Sequence, residues 1–340
     1  MSYNLKTLIV FDTNSLRSTE EGKVAYSFFA FGQPYQIVEE FIEENGLTEN
    51  VHLAVPEWAV EELKDQKRKQ YQLDVEEFQK LAKRLSGLPH TKEIIFPNDE
   101  FDCVKYVEEK ASEFITNKGI ELLELKKEMA SDILQNMMTR VMREPLKKSP
   151  FSELKHGNKK HKDAGFKDNL VWESILNYER VQNYDKVILM SKDGDFNEHC
   201  LAEFKERWER HITKIGEPLN VVAELKKDYD NFIDNRKVFD FADKEYFKDY
   251  LNDILKNLSK IDVEGEELDI ENYGVESYCT EVERTADEEG DFESPIIVSV
   301  VKIHVTKDRK KEVLDLIVHT TLADFETLAI DDSEFNPNVF

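Results

Sequence analysis

Long apolar runs are missing from this 340-residue chain. No stretch approaches the ~20 consecutive apolar residues that span a bilayer, and the start, MSYNLKTLIVFDTN, reaches an aspartate after only a few apolar residues. Membrane insertion and secretion are therefore not expected, and the cytoplasm is the expected location. Cysteine is scarce too: Cys103, Cys200 and Cys279 are odd in number and far apart. They make neither a disulfide framework nor a CxxC zinc site, so buried thiols in a reducing compartment are their expected role. The GxxxxGKS phosphate loop is absent, which disfavours an ATPase. Positive charge is also in deficit, with 46 Lys and Arg against 71 Asp and Glu and a net charge of −25. That excludes a generally cationic nucleic-acid coat.

The remaining composition is enough to fold. Hydrophobic residues make up 40% of the chain and aromatics 11%, and Ile, Leu and Val recur in clusters, which argues against disorder. The length allows one large domain or two ordinary ones. Leu8, Ile9, Val10 and Phe11 form a short continuous apolar run that ends in Asp12, Thr13 and Asn14, as a strand covered on both faces requires. Val38, Phe41 and Ile42 then recur at helical spacing, a second strand is expected over 51–55, and Pro56 opens a helix. Residues 64–147 read as long, charged amphipathic helices, an insertion into the strand–helix alternation. The alternation resumes with a helix over 170–178, a strand over 186–190 and an apolar stretch over 219–225. This βαβα pattern predicts an α/β fold with a doubly wound parallel sheet.

Beyond about Tyr250 the texture changes. Segments 273–282, 296–305 and 313–321 are rich in β-branched residues and alternate in polarity, which predicts an antiparallel meander in a smaller β-rich domain. Residues 261–340 hold 22 acidic and 6 basic side chains, a net of −16, so the other 260 residues carry only −9. The expected domains are 1–245 and 255–335. The acidic one fits a dimer contact, a sensor or a docking surface, so a homo-oligomer or a regulatory protein partner is expected through it.

Open parallel sheets bind ligands at the carboxyl ends of their strands, and acids stand where those ends should be. Asp12 follows the first strand, and Asp193 and Asp195 follow the strand 186–190 in SKDGDF. Glu61 and Glu62 lie on the helix after the second strand, and Asp168 lies early in the helix GFKDNLVWESIL. Each acid alone also fits a turn former or a helix cap. Gathered at one edge they would repel one another, and a divalent cation with hard oxygen ligands, Mg²⁺ or Mn²⁺, is the remedy. Two such ions ~3.5–4 Å apart activate water and stabilise the leaving oxygen of a phosphodiester.

FDTN at 11–14, VPEWAVEEL at 55–63, GFKDNLVWESIL at 165–176 and VILMSKDGDF at 187–196 resemble, in order and context, the four motifs of PIN-domain nucleases. The likeness spans roughly residues 5–230, interrupted by the helical insertion, and GFKDNLVW resembles a bacterial branch with a large insertion before the third acid. It implies a metal-dependent endonuclease that cleaves RNA, less often DNA, and leaves 5′-phosphate and 3′-hydroxyl ends. By position, Asp12, Glu62, Asp168 and Asp193 match the four acids and Asp195 an accessory one. Glu62 is preferred to Glu61 because the family motif places Glu directly before Leu, here Leu63. Asn14 and Ser191 match polar positions that steady the acids. For a bacterial member, the resemblance implies a toxin or phage-defence role. The alternative is a non-catalytic PIN-like scaffold that binds RNA or a protein partner.

An acidic protein that cuts a polyanion needs a local exception, and residues 147–167 supply one. Seven lysines face Glu153 and Asp163 there, a net of +5. Lys155, Lys159, Lys160, Lys162 and Lys167 are the expected phosphate contacts. His156 and His161 lack a carboxylate or cysteine partner at metal spacing and are not expected to be ligands. Phe28, Phe29, Phe31 and Tyr35 are read as core packing rather than a nucleotide pocket, and Trp172 as core. Asp12-Thr13-Asn14 superficially resembles the haloacid-dehalogenase phosphatases, but Asn14 occupies the place of their second aspartate and cannot act as an acid.

Overall fold

The apolar run Thr7–Phe11 forms β1, and all five of its residues are buried. A computed structural model describes residues 5–88, 101–142, 154–156, 159–161, 164–263, 265–286, 293–307 and 310–338. The chain divides into two compact units, Met1–Leu225 and Lys226–Phe340. None of the described helices is long and apolar enough to cross a membrane.

In the first unit, β1 is followed by α1 (Thr13–Leu16), a small hairpin of β2 (Thr19–Glu20) and β3 (Lys23–Val24), α2 (Gln33–Glu44), β4 (Val51–Pro56) and α3 (Glu57–Leu85). Next come α4 (Cys103–Lys118), β5 (Glu121–Leu123), α5 (Ala130–Met142), the ladder of β6 (Leu154–His156) and β7 (Lys159–His161), and α6 (Ala164–Leu176). β8 (Lys186–Met190), α7 (Glu198–Trp208), β9 (Ile212–Ile215) and the start of α8 (Pro218–Ala242) complete it. The sheet order is β5-β4-β1-β8-β9, and every pairing in it is parallel. From β1 the chain winds outward to β4 and β5, then returns to the other side of β1 for β8. The strand order thus reverses between β1 and β8, and the crevice at their carboxyl ends is the switch point of the sheet.

Local chemistry explains the elements. α2 carries Pro34 in its first turn and buries Tyr35, Val38, Phe41 and Ile42, one stripe of a helix. α3 buries Ala59, Val60, Leu63 and Lys67, all in its first three turns, and its more exposed later turns touch neighbours through Arg68 and Tyr71. α4 opens on Asp102, whose carboxylate accepts from the N–H groups of Val104 and Lys105, and stops at Gly119 in the left-handed region, φ 60°. The segment 64–147 is not wholly helical: Glu121–Leu123 extends the core sheet beside β4. A three-residue strand carries too little period to separate it from flanking helix. β9 lies where the sequence predicts no strand, and the apolar stretch 219–225 is helical.

The second unit contains the rest of α8, α9 (Glu245–Asn257), β10 (Lys260–Val263), β11 (Glu266–Ala286), β12 (Glu293–Lys307), β13 (Lys310–Leu322) and β14 (Ile330–Asn338). Its strands form an antiparallel meander in sequential order. Phe247, Leu251 and Leu255, four residues apart on α9, pack with Ile297, Val301 and Leu316 of the sheet. The division between units falls inside α8, which is interrupted at Tyr229 (φ −117°, ψ 15°). It precedes the change of texture near Tyr250 because Val238, Phe241 and Ala242 of α8 belong to the β-rich core.

Candidate metal centre

Asp12 ends β1 and is nearly fully buried. One carboxylate oxygen, Oδ1, accepts from the backbone N–H of Ser15 at 2.8 Å, so Asp12 caps α1. The other, Oδ2, accepts from the hydroxyl of Ser191, the residue after β8. Ser191 Oγ in turn accepts from the N–H of Asp193 at 3.0 Å, and Asp193 Oδ1 accepts from the N–H of Asp195 at 2.9 Å. One chain of hydrogen bonds therefore runs from the end of β1 through the turn after β8. Ser15 Oγ donates to the carbonyl of Met190 at 3.0 Å and ties the same two strand ends.

α6 brings the remaining carboxylate of a triad. Asp168, Asp193 and Asp195 each place a carboxylate oxygen within 4.8 Å of the others. Burial pushes the Asp168 carboxyl up to about 8, helped in order by the charges of Asp193, Asp195, Glu62 and Asp12. Asp12, Glu62, Asp193 and Asp195 thus all act on Asp168. Glu62 lies 3.7 Å from Lys167 Nζ and accepts from Gln66 at 3.4 Å. Glu61 instead pairs with Lys64 at 2.6 Å. The ~100° step between helix neighbours sends the two glutamates in different directions, and Glu62 is the one whose charge Asp168 feels.

Other expected residues fall differently. Asn14 is exposed, and the polar contact beside Asp12 comes from its neighbour Ser15. Lys155, Lys159 and Lys160 sit in the β6–β7 ladder, Lys162 lies outside the described residues, and Lys167 is placed beside Glu62. Trp172 is buried, with ring neighbours Phe196 and Phe204. Phe29, Phe31 and Tyr35 are core, Phe31 lying 4.9 Å from Tyr35 and 5.1 Å from Phe114.

Two lysines escape a sequence reading. Lys67 is buried on α3 and donates to the carbonyls of Ala25 and Phe28, and burial pushes its ammonium down to about 8. Its helical spacing from Val60 and Leu63 was the available signal. Lys214 on β9 donates to the carbonyl of Asp193 and steadies the acidic turn. It had none, because β9 itself is invisible in the sequence.

The donor set is made of carboxylate oxygens crowded together, which fits a hard divalent cation and no soft one. The chain thus carries a parallel α/β domain with a carboxylate set at its switch point. A PIN-domain family model matches residues 9–196, more than half of the chain. The chain therefore belongs to the PIN-domain family, whose members are generally nucleases that need a divalent metal. No curated protein and no solved structure matches it.

Proposed function

We propose that this protein is a Mg²⁺- or Mn²⁺-dependent endoribonuclease that hydrolyses phosphodiester bonds and leaves 5′-phosphate and 3′-hydroxyl ends. The observation that carries this reading is the approach of Asp168, Asp193 and Asp195 to within 4.8 Å at the sheet's switch point. Asp12, Asp168, Asp193 and Asp195, with Glu62, would hold the ions. When bound, they stabilise the charge that develops at the phosphoryl group and make a nucleophile available from water at neutral pH. Ser191 and the N–H of Ser15 hold both oxygens of Asp12, so its carboxylate would be oriented before a cation bound. Asp168 would have to be deprotonated to serve as a ligand, so binding through it would release a proton.

RNA is favoured over DNA because the family cleaves it more often, and the lysine-rich segment before Asp168 supports a polyanionic substrate. A toxin or phage-defence effector in a bacterial cytoplasm is the cellular role that this activity fits. The test is cleavage of single-stranded and structured RNA with Mn²⁺ or Mg²⁺, with EDTA and the folded Asp12→Ala and Asp193→Ala variants as controls. Metal-dependent cleavage lost in both variants supports the reading. Failure to cut any nucleic acid, or undiminished activity in both variants, replaces it with a non-catalytic scaffold.

A further inference from the structure

Asp168 comes from α6 and Asp193 and Asp195 from the turn after β8, and their carboxylate oxygens lie within 4.8 Å of one another. Packing away from the carboxylates must hold α6 and that turn at this spacing. The guanidinium of Arg140, in the last turn of α5, reaches both sides of the gap. It donates from Nη1 to Asn169 Oδ1 at 3.1 Å, one residue after Asp168 on α6. On α7 it grips both oxygens of Glu203, Nη2 to Oε1 at 2.7 Å and Nε to Oε2 at 3.2 Å. Its Nη2 also lies 2.6 Å from Oε1 of Glu173, a fully buried acid of α6. The indole N–H of Trp172 adds a second link from α6 to Glu203 at 3.0 Å.

α7 is itself joined to the acidic turn. Asn197 caps it two residues after Asp195, and Cys200 Sγ, in its first turn, donates to the carbonyl of Asp195 at 3.6 Å. A short path therefore leads from Arg140 to each half of the triad: through Asn169 to Asp168, and through Glu203 and α7 to Asp195. The planar fork of arginine engages several acceptors at once in fixed directions, which an ammonium cannot do.

We propose that Arg140 is a positioning residue of the metal centre, a cross-brace between α6 and α7 that sets the spacing of Asp168 from the Asp193–Asp195 turn and with it the affinity for a divalent cation. The brace rests on the proposed metal centre. It assigns a role to α5, a helix of the segment that the sequence presents only as an insertion.

The experiment is Mn²⁺ titration of the full chain by calorimetry, with thermal unfolding of each metal-free variant alongside. Arg140→Lys keeps the charge opposite Glu173 and loses the fork; Arg140→Met loses both. Both are expected to weaken Mn²⁺ binding, by about 10-fold for Arg140→Lys and up to about 100-fold for Arg140→Met. Lys186→Met removes a comparable ion pair, 2.6 Å from Glu224 at the opposite end of β8, and is expected to lower the melting temperature with Mn²⁺ affinity unchanged. Wild-type Mn²⁺ affinity in Arg140→Lys, or an equal loss in Lys186→Met, overturns the brace. Asp193→Asn separates the two readings: if it binds Mn²⁺ as well as wild type, the metal centre itself is wrong and the brace falls with it. Should Arg140→Met fail to fold, the Arg140→Lys titration decides.

Discussion

The two sheets of this protein treat acidic residues in opposite ways. Residues 261–340 carry 22 acids, yet among the described residues the one group of carboxylates close enough to hold an ion is in the other unit. In the antiparallel sheet, acids stand along the strands and meet lysines across them, as in Lys302 with Glu276 and Asp315, Lys311 with Glu271, and Lys260 with Glu267. Such exposed pairs are each worth little, ~0–1 kcal/mol. In the parallel unit Asp12, Asp193 and Asp195 follow the ends of β1 and β8, neighbouring strands that deliver their chain continuations to one edge, and α6 adds Asp168. Density of charge therefore says less about a site than where strands stop.

The sharpest way to break this comparison is to remove acids from each sheet. Asp193→Ala is expected to lower Mn²⁺-dependent RNA cleavage on the order of 10³-fold or more, since several kcal/mol of charge stabilisation go with the cation. Glu276→Ala in the antiparallel sheet should leave the rate within about twofold on the same gel assay, as expected of an exposed ion-pair partner. A comparable loss in both would mean that the acidic unit takes part in the chemistry.

Packing offers the next test. Leu251→Ala empties a fully buried position between α9 and the antiparallel sheet, at an expected cost of about 2–5 kcal/mol in denaturant unfolding. Mn²⁺ affinity at low denaturant should not change. A parallel fall in affinity would show that the metal centre depends on the core of the second unit.

A smaller effect comes from Asp168. Its folded-state carboxyl is raised from 3.8 to about 8, so its contribution to stability is fully present below about pH 4 and is lost as pH rises through about 8. The metal-free protein should therefore weaken across that window. Asp168→Asn, which carries no charge for burial and the neighbouring acids to disfavour, should be more stable than wild type at pH 8 by on the order of 2 kcal/mol and equal to it near pH 4. Urea unfolding at the two pH values checks this, and a gain of the same size at both would remove the cause from ionisation. Smallest of all is Lys302→Ala, expected to shift stability by less than about 1 kcal/mol despite its two acidic neighbours.

Elements long enough to carry a period are legible in the residues alone. The run at 8–11, the strand at 186–190 and the three alternating segments of the meander are all present as strands, because burial on one or both faces writes a pattern into consecutive residues. Asp12 and Asp193 are legible too, since an acid that comes after an apolar run is visible locally. Features that depend on distant segments meeting are not. β5 and β9 became strands through their neighbours, having three and four residues of their own. Ser15 Oγ reaches the carbonyl of Met190 across 175 residues of chain, the charge of Glu62 acts on Asp168 from another helix, and Ser191 reaches Asp12 across 179 residues. Arg140 belongs to the same class, joining α6 to α7 from a third helix. Periodicity states which face of an element is buried, whereas sheet register and helix packing state which side chain stands opposite it.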